Sequence, residues 1–277
     1  MTMKRIGPRV LFAAGLALLL FFTLFPFLQM LSTSLKPADQ LFAVPPVWIP
    51  EHFTLSNFTA ALHHQQFARY FMNSLFVSVV TCVLVIVVSV LAAYGFTRLE
   101  FPGRKFLLNV ILVSQMFCIS AIVIPLYKIV SALGLLNSYP GLVLAYMAFT
   151  VPVAIWLLRS FMLNIPIDME ESAMMEGASK LQAFVRVVLP LLRPGIGATA
   201  AYVFLMTWQE FLFSLVFMTD PAKRTLPIGI MDFKGQYETN WGTMMAASIL
   251  ISIPVFLLFL VIQRQLISGL TEGATKG

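Results

Sequence analysis

The chain has 277 residues, of which 59% are hydrophobic and 11% charged, and its formal net charge is +6. Soluble domains carry about 25% charged residues, so this composition excludes a water-soluble globular protein and predicts an all-α integral membrane protein. The positive balance is typical of membrane proteins with basic cytoplasmic loops, and the sequence shows no basic, aromatic-rich cluster of the kind that binds nucleic acid. Cys82 and Cys118 lie in apolar runs, which favours packing over a disulfide or a metal site.

Six apolar segments are long enough to cross the lipid bilayer, which requires about 20 residues per helix. The first follows a short basic N-terminus and is too long for the apolar region of a signal peptide. The fourth is predicted to bend or break near Pro152. The predicted spans of one transmembrane domain, 1–277, cover residues 10–31, 70–96, 106–125, 141–158, 195–218 and 242–262.

The second span carries three hydroxyl residues at helical spacing, Ser74, Ser78 and Thr81. This spacing places them on one face of the helix. Small hydroxyl side chains on one face favour close packing against another helix. A pore-lining role is the alternative interpretation of the same pattern.

One acid, Glu210, lies within an apolar span, in the sequence TWQEF. An unpaired buried carboxylate costs several kcal/mol, so an acid at this depth indicates a function. With Trp208 and Gln209 it would offer hydrogen bonds and a stacking surface to a polyhydroxylated ligand. At about 1.5 Å per residue Glu210 lies roughly 20–24 Å along its span, so the outer membrane interface is the alternative position. Asn73 and Gln115, polar residues in other spans, complete the candidates for a substrate path.

The most charged interior segment is residues 168–194, DMEESAMMEGASKLQAFVRVVLPLLRP. Asp168 is predicted to be the N-cap of a short helix, with Glu171 three residues further on. Gly177 is predicted to end that helix. A second capping box then starts at Ser179.

The second helix is predicted to run to Pro190. Two short amphipathic helices that meet at a glycine have a shape suited to a groove on a soluble partner. An ordinary amphipathic loop is the alternative. Residues 166–194, within the connection between the fourth and fifth spans, are predicted to form the loop that makes such a contact.

Six spans place both termini on the same side of the membrane. That side, which also holds the 166–194 loop, carries twelve Lys and Arg residues, against six on the other side. An excess of Lys and Arg marks the cytoplasmic side. Both termini and the loop are therefore predicted to be cytoplasmic in a multi-pass membrane protein.

A spaced motif lies within this loop. It consists of Glu171, Ser172, Ala173, a three-residue gap, Gly177, a nine-residue gap, and Val187, Val188, Leu189 and Pro190. It resembles the EAA loop of ABC importer permeases, in which Glu-Ala-Ala and Gly precede Ile, any residue, Leu and Pro. Ser172 replaces the first Ala and Val187 replaces Ile, both by residues of similar size. Residues 92–108, 124–142 and 263–277 further resemble the MalG-like carbohydrate branch of these permeases.

The resemblance implies the six-helix MetI-like bundle of type I importers in a bacterial or archaeal plasma membrane. It implies a sugar, or a related polyol or glycerol phosphate, as the solute. The implied partners are a second related permease, two copies of an ABC ATPase and an external solute-binding protein. ATP and Mg²⁺ would be bound by the ATPase, and this chain would need no cofactor. The residues implied to couple to the ATPase are Glu171, Ser172, Ala173, Glu176, Gly177, Ser179, Leu189 and Pro190.

Motifs of energy-coupling and hydrolytic chemistry are missing from the sequence, which has no P-loop, HExxH pair or nucleophile elbow. The chain is therefore predicted not to be an enzyme, and its energy source must lie in another chain. A proton-coupled secondary transporter with Glu210 as the carrier is the alternative function. An intramembrane enzyme is a third, but no span contains a nucleophile and base pair.

Overall fold

The computed structural model describes the backbone of residues 6–64, 66–234 and 239–274 and the side chains of residues 11–64, 66–234 and 239–263. The regular secondary structure of these residues is helical, apart from one isolated β-bridge between Lys234 and Thr239, which confirms the all-α prediction. In chain order the helices are α1 (Ile6–Ser34), α2 (Ala38–Leu41), α3 (Ser56–His63), α4 (Phe67–Arg98), α5 (Arg104–Ser114), α6 (Ile119–Ala132), α7 (Tyr139–Leu163), α8 (Asp168–Met175), α9 (Lys180–Ala183), α10 (Leu189–Leu191), α11 (Arg193–Trp208), α12 (Leu212–Phe217), α13 (Leu226–Gly229) and α14 (Trp241–Ala274).

Among the described residues, four helices are by themselves long and apolar enough to cross a membrane, and they coincide with the first, second, fourth and sixth predicted spans. Two bent pairs of shorter helices, α5 with α6 and the Lys180–Leu191 segment with α11, bring the total to six when each pair is one span. The four single helices span Leu11–Ser34, Phe67–Arg98, Tyr139–Leu163 and Trp241–Gln263.

The third predicted span is not one continuous helix. α5 ends at Ser114 and α6 begins at Ile119, and the two axes differ in direction by 107°. The four residues between them, QMFC, contain no proline or glycine, so the sequence carries no local signal of the break. α6 instead passes through Pro125 and ends at Ala132.

The other proline and helix-end predictions have mixed outcomes. α7 passes through Pro152 without a break, so of the two predicted alternatives the break is wrong and the bend stays a prediction. The helix predicted to end at Pro190 extends to Leu191 and contains a π-helical turn, Phe184–Val188. The fifth span is interrupted, because α11 ends at Trp208 and α12 begins at Leu212.

The chain divides into two compact units, one made of Met1–Ala68 and Gly229–Ile253 and the other of Arg69–Ile228 and Pro254–Gly277. In the first unit the Asn57 amide donates to the carbonyl oxygens of Ser34 and Lys36, at 2.9 and 2.8 Å. These two bonds fasten α3 to the end of α1.

The second unit contains the candidate functional residues. On α4, Ser74, Ser78 and Thr81 are all at most 2% exposed. Directly after Thr81, the Cys82 thiol donates to the Ala200 carbonyl oxygen on α11, at 3.5 Å. The hydroxyl face of the second span is therefore packed inside the unit, which supports the packing interpretation.

Candidate functional site

The loop of residues 168–194, called the EAA-like loop from here on, begins with α8. Asp168 is the first helical residue and not the N-cap, so its predicted capping role is wrong. Ile167 has helical backbone angles, and its carbonyl oxygen accepts hydrogen bonds from the amides of Glu170 and Glu171 at 2.9 and 3.1 Å. Because Ile167 occupies the N-cap position, Asp168 lies inside the helix and does not cap it. In the first turn Asp168 still stabilises the helix through its dipole.

The glycine between the two helices of the loop is required by its backbone conformation. Gly177 has a φ of 94°, in the left-handed region, and its amide donates to the Met174 carbonyl oxygen at 3.0 Å. A Cβ atom there would meet nothing within 4 Å, so the backbone angle, and not crowding, favours glycine. The prediction that Gly177 ends the first helix is confirmed.

The predicted second capping box is also confirmed. The Ser179 side chain accepts from the Gln182 amide at 3.3 Å, and the Gln182 side chain accepts from the Ser179 amide at 2.8 Å. Two of the otherwise unpaired amides at the start of α9 are satisfied in this way.

Most of the predicted coupling residues lie on the surface of the EAA-like loop. Large apolar side chains lie beside them, with Met175 89% exposed and Leu181 71% exposed. Acids next to exposed apolar side chains are typical of a surface that a protein partner covers. The exposed candidates are Glu171, Ser172, Glu176, Gly177 and Ser179, and the partly buried ones are Ala173, Leu189 and Pro190.

An acid that the sequence analysis did not select, Glu170, is the most deeply placed polar residue of the loop, at 4% exposed. Its carboxylate forms an ion pair with the Nε atom of Arg98, and its second oxygen accepts from the Tyr94 hydroxyl at 3.2 Å. Arg98 Nη2 also donates to the Ile165 carbonyl oxygen at 2.8 Å. Tyr94 and Arg98 are four residues apart on α4 and so share a face. This spacing is the one feature of the sequence that indicates the cluster.

The cluster lies beside a cavity of about 170 Å³, which Glu171, Met174 and Lys180 also line. The ring of Tyr94 contacts that of Phe184 edge-on, with 4.7 Å between the ring centroids. The end of α4, the first helix of the EAA-like loop and the π-helical turn therefore meet at one place.

The predicted substrate-path residues are dispersed over the second unit. Trp208 is 2% exposed, and its ring stacks on Phe204 and meets the edge of Phe71, each at 5.5 Å between centroids. The ring is thus packed against aromatic side chains of its own unit. Gln209, the next residue, is exposed at the interruption between α11 and α12. Gln115 is exposed at the separate break between α5 and α6.

Glu210 is buried, 8% exposed, and its carboxylate is satisfied by backbone amides. One oxygen accepts from Phe213 at 2.8 Å and the other from Ser214 at 3.2 Å. The carboxylate thus binds the unpaired amides at the start of α12. This contact accounts for an acid within an apolar segment.

Asn73 is used in the same way to hold backbone. Its side-chain amide donates to the carbonyl oxygens of Ala222 and Arg224, both at 2.9 Å, and its oxygen accepts from the Tyr139 hydroxyl at 2.8 Å. The neighbouring Ser74 hydroxyl oxygen accepts from the Leu226 amide at 2.7 Å. Asn73 therefore anchors the 222–226 segment to α4, and the sequence alone did not reveal this role.

Within the part of the chain whose side chains are described, no group of three His, Cys, Asp or Glu residues is arranged to hold a metal ion.

Comparison with known proteins identifies the family. Residues 85–272 match the family model of the binding-protein-dependent transport system inner membrane component. The inner membrane ABC transporter permease protein YcjP of Escherichia coli is 36% identical, and the alignment covers 100% of this chain and 99% of YcjP. The diacetylchitobiose uptake system permease protein DasC of Streptomyces coelicolor is 38% identical over 91% of this chain and 92% of its own. The trehalose/maltose transport system permease protein MalG of Thermococcus litoralis is 36% identical over 97% of both chains.

Solved structures show the same fold. A chain of a bacterial ABC transporter involved in the import of the acidic polysaccharide alginate superimposes with a TM-score of 0.83, over 95% of this chain and 98% of that one, at 21% identity. A chain of the MetNI methionine ABC transporter superimposes with a TM-score of 0.59. The protein belongs to the family of binding-protein-dependent transport system inner membrane components, and it is a multi-pass permease of the ABC importer type.

Proposed function

We propose that this permease carries a sugar, or a related polyol or glycerol phosphate, that an external binding protein delivers. The names of its relatives support a carbohydrate solute, since they specify diacetylchitobiose, trehalose/maltose and sulfoquinovosyl glycerol. A second related permease would complete the translocation path. Of the candidate substrate-path residues on this chain, Gln209 and Gln115 are the two with exposed side chains that a solute can reach.

The observation that carries the energy-coupling part of the proposal is the exposed face of α8. It lies outside every candidate span but inside the region that matches the family model, and it presents Glu171 and Met175 to solvent, with the exposed Glu176 directly after its end. An amphipathic helix of this kind fits a groove on a soluble partner. We infer that the partner is an ABC ATPase, present in two copies, which binds ATP and Mg²⁺, so that this chain is not itself an enzyme.

In the proposed mechanism, ATP closes the ATPase dimer and draws the EAA-like loops of the two permeases together. The paired bundles then change from inward-facing to outward-facing, which is alternating access around a central path. The loop and both termini would lie in the cytoplasm, as the distribution of Lys and Arg predicts.

The test is reconstitution of the permease pair, ATPase and binding protein in lipid vesicles, with a panel of sugars and glycerol phosphates. We expect one solute to stimulate ATP hydrolysis and to be taken up only when all four kinds of subunit are present. Transport by this chain alone, or uptake that survives ATP depletion but is stopped by a protonophore, would contradict the proposal. The contacts of Glu210 with two backbone amides support a structural role for that acid over proton carriage.

A further inference from the structure

The helix that faces the proposed ATPase packs against the segments that follow it, α9 and the π-helical turn, and it binds α4 through the buried side chain of Glu170. Among the residues of α8, Glu170 alone is buried, and the others are exposed or partly exposed. The apolar side chains of α8 are at most partly buried, so each contributes less to holding the helix than a fully buried one would. A force applied to the outer face of α8 can pass directly to α4 through Glu170, or indirectly through α9 and the π-helical turn.

Glu170 is bound on both carboxylate oxygens by side chains of one helix, α4. Arg98 Nε pairs with one oxygen, and the Tyr94 hydroxyl donates to the other at 3.2 Å. The side chains of Arg98 and Glu170 are 9% and 5% exposed, so water screens the pair little. A charge-assisted bond with two fixed donors restricts the direction as well as the distance between the two helices.

α4 is also fastened at its other end. Asn73 binds the carbonyl oxygens of Ala222 and Arg224, and Ser74 binds the Leu226 amide. Asn73 and Arg98 are separated by about 25 positions, which correspond to about 37 Å along the helix axis. The helix is continuous and contains no proline over this distance, so it can move as a rigid body.

We propose that Glu170, Arg98 and Tyr94 form a clamp that fastens α8 to α4, so that a displacement of α8 moves α4 and the 222–226 segment at its far end. The proposal rests on the proposed function, because it requires a partner that displaces α8. The three side chains are positioning residues, since they act through α4 and need not touch the solute. The clamp is distinct from the exposed acids of the EAA-like loop, which would contact the partner directly.

The first test compares Glu170→Gln with Glu100→Gln in the reconstituted four-component transporter. The probe is the sugar of the panel that gives the wild-type complex its highest uptake. Glu100 is exposed in the connection that follows α4, so its replacement removes the same charge near the same helix end without affecting the clamp. Typical coupling energies correspond to about 5- to 150-fold effects, so we expect the solute carried per ATP to fall about tenfold in Glu170→Gln while ATP hydrolysis stays within about twofold. Glu100→Gln should keep the wild-type ratio.

A second variant separates the clamp from a merely structural ion pair. Removing one partner of a buried pair leaves an unpaired charge, whereas replacing both by apolar residues often preserves stability. The double variant Arg98→Met, Glu170→Met should therefore insert and assemble even where a single variant does not. We expect it to hydrolyse ATP but to carry little solute per ATP.

The outcomes separate the two proposals. A wild-type ratio of solute to ATP in Glu170→Gln or in the double variant would overturn the clamp and leave the importer function standing. A wild-type complex that shows no ATP-dependent uptake of any panel solute would overturn both.

Discussion

The EAA-like loop and the helix interruption at residues 209–211 are two polar regions of the same compact unit with opposite environments. In the loop, Glu171 and Glu176 are exposed and bind no described side chain, and Glu170 is the only one of its acids that is buried. At the interruption, Glu210 is buried and both of its oxygens accept hydrogen bonds from backbone amides. The loop therefore leaves two of its charges exposed, whereas at the interruption the charge binds its own backbone.

This difference shows why a polar residue in an apolar span is an ambiguous signal. The cost of a buried carboxylate can be offset by contact with a solute, but also by the unpaired amides that every helix start leaves. Glu210 and Asn73 both take the second route, because a broken helix and a nearby loop present backbone groups that need partners. An exposed polar residue is hydrated by water and needs no backbone partner. The spacing of exposed residues therefore indicates function more directly.

Of the variants that test this comparison, Gly177→Pro in the loop is expected to have the largest effect. Proline holds φ near about −65°, whereas Gly177 needs a φ of 94° and donates its amide to Met174. We expect the protein to stay in the membrane while ATP-driven uptake falls by about a hundredfold, near the upper end of typical coupling effects. Gly177→Asn is the control, because asparagine tolerates left-handed backbone. Normal uptake by the proline variant, measured in the reconstituted vesicles, would contradict the assigned role of the loop.

A smaller effect, on stability instead of coupling, is expected for Glu210→Leu. The amides of Phe213 and Ser214 would lose their acceptor, and each unsatisfied buried donor costs about 1–3 kcal/mol. Thermal unfolding of the detergent-solubilised protein should therefore shift to lower temperature. Glu210→Gln, which keeps one acceptor oxygen, should fall between the variant and the wild type. If the leucine variant were as stable as the wild type but failed to transport, Glu210 would belong to the solute path after all.

The smallest effect is expected for Ser179→Ala, which removes one half of the capping box in the loop. Loss of a serine cap costs about 1 kcal/mol. Amide hydrogen exchange at Gln182, whose amide donates to Ser179, should become faster, and uptake should change little. Ser172→Ala, an exposed position within α8, is the control and should leave that exchange rate unchanged. Equal rates in both variants would show that the cap contributes nothing to the loop.

Residue spacing predicted a large part of the fold and the coupling loop. The spans that are single helices, the left-handed Gly177 and the capping box at Ser179 follow from composition and short-range patterns. Such features depend on residues within one or two turns of one another, so a linear sequence contains them. The breaks between α5 and α6 and between α11 and α12 were missed, because no proline or glycine marks either place.

By itself, the sequence determined a helical membrane protein with a capped, charged loop, because hydrophobic length and cap spacing are local properties of the chain, and the motif in that loop added the resemblance to permeases. Only the tertiary structure decided which polar residues are exposed and which are bound to distant parts of the chain. It paired Glu170 with Arg98, residues 72 positions apart, and joined Asn73 to Arg224 across 151 positions. Contacts at such separations depend on how the helices pack, and no local pattern in the sequence specifies that packing.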